Sequence, residues 1–266
     1  MSFFDQISKS LSYHGKAFGF IIANKFAWTL FVPIVVFIVL LGFGIFAVGS
    51  YFADMLVDMA GELLEESPFL ITIFSTFIII VIRILLFIIF GLWGGYVVVV
   101  VMSPFLAYVS EKTETILSGR EYKFDFPQFI HDIFRGIALA VRNMFMEILI
   151  SIVIFFLPVI PIIGALTSVT VGTVFLFFVS AYFYGFSFID YTLERRRLTV
   201  GQSVTLMRRR KGTACGHGLI FALILFIPIV GAFISAVYAI ISTVASTMEF
   251  VDEQEAMAPT QGALES

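Results

Sequence analysis

The chain has 266 residues, of which 60% are apolar and 13% charged, with 33 phenylalanines and a formal net charge of −3. A soluble domain carries about 25% charged residues, so a water-solvated globule is excluded and the chain folds in lipid. The single cysteine, Cys215, excludes an internal disulfide framework and a thiolate-only metal site within one chain; it reads as a small packing residue.

Within residues 1–25, Phe4, Ile7, Leu11, Phe18 and Ile22 recur at helical spacing, with Lys9, Ser12, Lys16 and Gly19 between them. This predicts an amphipathic helix with two possible homes, the membrane interface or the protein's own cytoplasmic loops. The start lacks a basic region, a compact apolar core and a small-residue cleavage site, so no cleavable leader is expected and the N-terminus should stay in the cytoplasm. Asn24 and Lys25 come next, where free amides and the positive end of a helix attract an anion. The alternative is a cytoplasmic basic flank that only sets topology.

Residues 26–50 carry no charge and form the first predicted transmembrane helix, since crossing a hydrocarbon core of about 30 Å takes about 20 helical residues. Asp54, Asp58, Glu62, Glu65 and Glu66 follow with no nearby Lys or Arg, whereas Lys9, Lys16 and Lys25 precede the span. The positive-inside bias therefore places this acidic loop in the periplasm. Ser67-Pro68 reads as an N-cap and first helical residue, opening a second transmembrane helix over 68–102 that stops near Ser103 and Pro104. It is longer than the bilayer requires, so it tilts, bends near Gly91, Gly94 and Gly95, or projects into water. Gly91-x-x-x-Gly95 allows close helix approach and reads as a dimer contact. Arg83 is the one charge inside this helix, and burying it in lipid costs about 2.5 kcal/mol or more. It either lines an anion path, or lies shallow enough to snorkel or to pair with Glu62, Glu65 or Glu66 of a neighbouring subunit.

Residues 103–142 return Lys112, Arg120, Lys123, Arg135 and Arg142 to the cytoplasmic side. Glu111, Lys112 and Glu114 are expected to pair around the end of the second helix, with Arg142 and Glu147 available to join them. Residues 143–189 are apolar, have basic segments on both sides, and break at Pro158, Pro161 and Gly164, which predicts a helical hairpin. A basic segment, 190–216, carries arginine runs at 195–197 and 208–211 around a short helix capped by Thr199. Each such charge is worth about 1 kcal/mol near anionic lipid. Residues 217–248 form a second hairpin broken at Pro228 and Gly231. Its arms of about 9 to 17 residues reach only roughly 13 to 25 Å, so it should enter partway and turn where other protein or a watery cavity satisfies its backbone. The two breaks share a string: Ile160-Pro161-Ile162-Ile163-Gly164-Ala165 is echoed by Ile227-Pro228-Ile229-Val230-Gly231-Ala232. Pseudo-repeats with broken helices recur in substrate paths through membranes. Residues 249–266, acidic and then rich in Pro, Thr, Gln and Gly, read as a disordered tail.

Catalytic signals are missing. His14, His131 and His217 show no ligand spacing, His131-Asp132 reads as a loop pair, and no HExxH, GxSxG or P-loop occurs. No enzyme, metal or cofactor is expected. Nucleic acid is a poor partner because the rest of the exposed chain is acidic and no recognition module is present.

Several strings resemble the CysZ family of bacterial inner-membrane proteins, which shares a domain with the etoposide-induced membrane proteins. Ser103-Pro104-Phe105 followed by Ser110-Glu111-Lys112-Thr113-Glu114 is similar to that family's Pro-Phe and Ala-Glu-Lys-x-Glu segment. Asp190-Tyr191, Leu198, Arg208-Arg209-Arg210, Gly216, Gly218 and Ile227-Pro228 follow its order of elements. The resemblance implies an all-α polytopic integral membrane protein in the bacterial inner membrane, with two long transmembrane helices, two partly penetrating hairpins and both termini cytoplasmic. It also implies a homo-oligomer that passes sulfate or a similar small anion, with membrane lipid as its other partner. The family's sulfate motif, Gly-Leu-Arg-Arg ahead of the first span, is replaced here by Lys25-Phe26-Ala27-Trp28 before Pro33. Lys25 supplies a charge without the bidentate fork of arginine. A second reading is therefore a membrane scaffold or lipid-interacting protein of the same fold that transports no sulfate.

Overall fold

Backbone amides in lipid have no water to bond, so a spanning chain must satisfy them within helices. The computed structural model describes residues 1–43, 51–52, 55, 58, 68–120, 125–157, 169–227 and 230–262, and no strand occurs among them. The described helices are α1 (Phe3–Ala23), α2 (Val32–Phe43), α3 (Pro68–Ser118), α4 (Phe126–Phe156), α5 (Val169–Arg195), α6 (Val200–Arg209), α7 (Lys211–Leu225) and α8 (Val230–Gly262). A short 3-10 turn, Ala27–Phe31, leads into α2. Among the described residues, Gly94–Ser118, Phe126–Phe156, Val171–Arg195 and Phe233–Gln254 are each long and apolar enough to cross a membrane. The segments Phe3–Ala23 and Ala27–Val36 meet the same test only as a pair bent by 110°. The protein is thus an all-α polytopic membrane protein.

Small residues decide how the helices meet. A Cβ on Gly185 of α5 would lie 1.8 Å from the Ala214 carbonyl oxygen of α7, and one on Gly218 of α7 would lie 1.8 Å from the Ala181 carbonyl of α5. Ala181-x-x-x-Gly185 and Ala214-x-x-x-Gly218 therefore interlock backbone to backbone, the close approach that small-residue stripes permit in membranes. The opposite edge of α7 receives α1 in the same way. A Cβ on Gly212 would meet the Phe3 carbonyl at 2.3 Å, and one on Gly216 the Ser10 Cβ at 2.7 Å. The α7 amides that open the helix are not capped by its own side chain. Gln6 of α1 caps them instead, its Oε1 accepting from Gly212 N at 3.1 Å and Thr213 N at 3.3 Å. Phe221 then packs against Tyr184 and Phe188, with ring centroids 4.9 and 5.1 Å away. Cys215 is a buried free thiol.

α1 packs one face on the protein and leaves the other exposed. Ser2 and Asp5 close a capping box at its start. Ile7, Tyr13, Ala17 and Ile21 are buried against α7 and α8, whereas Phe4 is 73% exposed and Phe18 and Ile22 are also exposed. α8 lies against α3, α5, α7 and α1 and closes the bundle.

The structure bears on four expectations. The second long helix does not stop at Ser103-Pro104: α3 has 51 residues and holds Pro104 inside. Leu106, Val109 and Thr113, beyond the proline, are fully buried, and such packing outweighs the hydrogen bond that Pro104 cannot donate. The helix ends instead at Gly119, whose φ of +68° suits a left-handed terminus. Gly95 itself packs within the chain, because a Cβ there would lie 2.5 Å from the Tyr184 hydroxyl. Three of the four hairpin arms, α4, α5 and α8, hold enough apolar length to cross; α7, at 15 residues and about 22 Å, is the short one. Finally, the chain after Met248 continues as helix to Gly262, with Glu249, Phe250 and Val251 buried, because its acidic residues have basic partners on α1 and near α7. Of the hairpin breaks, Pro158, Pro161, Gly164 and Pro228 lie outside the described residues. Gly231 opens α8, where a Cβ would come 2.2 Å from the Ile224 carbonyl.

Gly218→Ala should destabilise the detergent-solubilised protein by about 3 kcal/mol or more, because a backbone carbonyl cannot move aside as a side chain can. Gly201→Ala, with open space around its Cβ, should leave the melting temperature unchanged or slightly raised.

Candidate anion site and buried ionic networks

Asn24 and Lys25 form the corner between α1 and the first span. Phe26 N donates to Ile21 O at 2.8 Å and Lys25 N to Ile22 O at 3.2 Å, a Schellman ending in which Phe26 and Ile21, both buried, make the accompanying apolar contact. Asn24 Nδ2 donates to Phe20 O at 2.9 Å. Lys25 has φ +56°, a left-handed conformation that costs a non-glycine residue roughly 1–2 kcal/mol. It stands where the resembled motif begins with glycine, which takes this conformation freely. Its side chain is exposed and has no ion-pair partner among the described residues. Arg83 falls within α3, and its side chain lies outside the described residues, as do Glu62, Glu65 and Glu66.

The buried charges form networks that sequence reasoning did not anticipate. Glu114, 2% exposed, accepts from Arg195 Nε at 2.8 Å. The same guanidinium donates to Ser110 Oγ at 2.8 Å and to Tyr191 O at 2.9 Å. Ser110, Thr192 and Thr247 then link hydroxyl to hydroxyl at 2.7 and 3.1 Å, joining α3, α5 and α8. Arg135 of α4 holds Asp190 of α5 with both fork arms, at 3.2 and 3.0 Å, and also donates to Leu198 O at 2.6 Å and Ser203 Oγ at 3.1 Å. Leu198 is set there by a second Schellman ending, with Arg197 at φ +57°. In the apolar interior, Glu147 of α4 accepts from the hydroxyls of Tyr96 and Ser180. Between α1, α7 and α8, His217 Nε2 meets Glu249 Oε2 at 2.8 Å and Tyr238 OH meets His14 Nδ1 at 2.7 Å. Lys9 reaches Glu253 at 2.6 Å, and Arg210 pairs with the same carboxylate.

Of the residues expected in salt bridges around the end of the second helix, Glu114 is in one, but Glu147 and Arg142 have other partners. Glu114 turns to Arg195, Glu147 to hydroxyls, and Arg142 Nη1 to Asn143 Oδ1 at 3.0 Å. One signal was available: Asp190, Glu194 and Arg195 close a long apolar stretch, where an unpaired charge is costly, so partners on facing helices were required. Thr199 is the N-cap of α6, reciprocally bonded with Gln202 at 3.3 and 2.8 Å, as its sequence predicts.

These elements define a multi-pass helical membrane protein whose described interior charges are tied to partners on other helices, by ion pairs or hydroxyls. The chain belongs to the Sulfate transporter CysZ/Etoposide-induced protein 2.4 family, whose model matches residues 13–235. It is 24% identical over 206 residues to a sulfate transporter CysZ of Vibrio parahaemolyticus, covering 77% of this chain and 80% of that one. It is 25% identical over 169 residues to a protein of the same name from Pseudomonas fluorescens strain SBW25, covering 61% and 62%. A sulfate transporter CysZ of strain Pf0-1 is 24% identical over 203 residues, covering 74% and 76%.

Arg195→Met should destabilise the protein by about 3–5 kcal/mol, because it strands the Glu114 carboxylate in a dry interior. Adding Glu114→Gln should restore most of that loss. A thermal-melt double-mutant cycle reads the coupling, and simple additivity would show that the pair is not coupled.

Proposed function

We propose that this protein is a permease or channel of the bacterial inner membrane that passes sulfate or a similar small anion, acting as a homo-oligomer with both termini cytoplasmic. The observation that carries this reading is membership of the CysZ family over most of the chain, with relatives named as sulfate transporters. The anion's first contact is assigned to Asn24 and Lys25. An exposed ammonium there precedes the amides that open the Ala27–Phe31 turn, and a dianion is stabilised by such amides together with positive charge. Arg83 is the second contact along the path. The hairpin breaks at Pro158, Pro161, Gly164, Pro228 and Gly231 are assigned to its lining. Membrane lipid surrounds the assembly, and no catalytic step is involved.

One observation favours the alternative of a membrane scaffold without transport. The guanidiniums of Arg135 and Arg195 are committed to carboxylates, and Ala27 and Trp28 stand where the resembled motif carries arginines.

Sulfate flux into proteoliposomes separates the two readings. Wild type should exceed empty vesicles, and Arg83→Ala should lower the flux. Lys25→Gly, which removes the charge while relaxing the left-handed backbone, should lower it several-fold with no loss of thermal stability. Wild-type flux equal to that of empty vesicles would leave the scaffold reading. For orientation, Arg209→Cys should resist a membrane-impermeant thiol reagent applied outside intact cells; labelling from outside overturns the topology.

A further inference from the structure

Where α4 begins and α5 ends, Asp190 and Glu194 lie against one guanidinium, Arg135, and a third carboxylate, Asp132, lies beside Glu194. The guanidinium is fully engaged: Nε and Nη2 bind Asp190, Nη1 binds the Leu198 carbonyl, and Nη2 also reaches Ser203. Glu194 Oε1 lies 3.3 Å from Arg135 Nε on a side chain only 8% exposed, yet it accepts no hydrogen bond from any described group. Asp190 is thus satisfied by Arg135 through hydrogen bonds, while the buried Glu194 Oε1 shares that guanidinium's charge at 3.3 Å but has no hydrogen bond of its own. Two further donors face it. One ligand atom each from His131, Asp132 and Glu194 lie within 4.8 Å of one another, with His131 Nδ1 3.4 Å from Asp132 Oδ1. Gln128 Nε2 donates to Asp132 Oδ1 and so orients the carboxylate, as outer partners of metal ligands do.

We propose that His131, Asp132 and Glu194 form a divalent-cation site of the zinc class. An imidazole with two carboxylates is a nitrogen and oxygen set suited to Zn²⁺ and not to the all-oxygen shells of Mg²⁺ or Ca²⁺. Three protein ligands leave a fourth tetrahedral position for water. The two carboxylate charges not balanced by Arg135 match a divalent ion. His131, 70% exposed, gives the ion a route from solvent. Bound there, the ion would tie the start of α4 to the end of α5, next to the Arg135–Asp190 pair.

The test uses the full-length protein in detergent, stripped with a chelator, dialysed against micromolar Zn²⁺, and assayed for bound metal and melting temperature. Wild type should retain roughly one Zn²⁺ per chain and melt higher with zinc than without. His131→Ala changes an exposed side chain and should leave the fold intact, yet weaken zinc binding about tenfold or more and abolish the zinc-dependent rise in melting temperature. Asp132→Asn should do the same. Zinc retention unchanged in both variants, no retention by wild type, or displacement of zinc by an equal concentration of Mg²⁺ would overturn the assignment.

Discussion

The structure depends on the contact between α5 and α7 at Gly185 and Gly218. Lipid tails are as apolar as leucine, so burying hydrophobic side chains between helices gains little in a bilayer, and close backbone packing must supply the attraction instead. Here the two backbones come so near that neither glycine could carry a methyl group. α7 then acts as a thin plate, with α5 on one edge and α1 on the other. The amphipathic α1 is fixed to the membrane domain through Gly212, Gly216 and the Gln6 cap, and the corner at Lys25 is positioned as a consequence. The shortness of α7 and its small residues belong together, because a longer, bulkier helix could not fit between its two neighbours.

Once α5 is held against α7, its polar end becomes the meeting point of the bundle. Tyr191 and Thr192, Asp190 and Glu194, and Arg195 point to different neighbours, and each direction is answered by a specific partner: Ser110 and Glu114 on α3, Arg135 on α4, Thr247 on α8. Ion pairs of this kind add little net stability relative to well-packed apolar residues, but breaking one strands a charge. Their effect is to fix register. A helix turned by one residue would leave a carboxylate or a guanidinium alone in a dry environment, so the alternatives to this arrangement are strongly disfavoured.

Much of this was legible in the sequence, for identifiable reasons. Apolar length announces spans because the bilayer has a fixed thickness, and the Thr199 cap was readable because a hydroxyl three residues ahead of a glutamine has a local partner. The termination at Pro104 was misjudged because local helix rules ignore packing beyond the proline, where Leu106 and Val109 are buried. The acidic stretch after Met248 looked disordered for the same reason. Its charges are satisfied by Lys9 and Arg210, residues remote in sequence. The strings that carried the family resemblance had a meaning no pattern could show: Glu114 and Ser110 from one meet the Tyr191 carbonyl of the other through Arg195. The site formed by His131, Asp132 and Glu194 was hidden because its third member lies on another helix.

Lys25 combines these themes. A left-handed residue that ends a helix is best filled by glycine, and a lysine there sacrifices stability that the fold could have kept. Arg197 repeats the exchange at the end of α5, so a basic side chain in this conformation is compatible with the architecture and does not by itself demonstrate a role. The difference lies in the surroundings. Arg197 follows a run of basic residues in a polar segment, where one more charge changes little. Lys25 stands at a 110° corner, with the apolar Ala27–Phe31 turn and α2 after it and no carboxylate among the described residues paired with it. An ammonium in that position makes the entrance to the membrane domain locally positive, whereas glycine would leave the corner neutral. Physical strain and isolated charge therefore converge on one residue, Lys25.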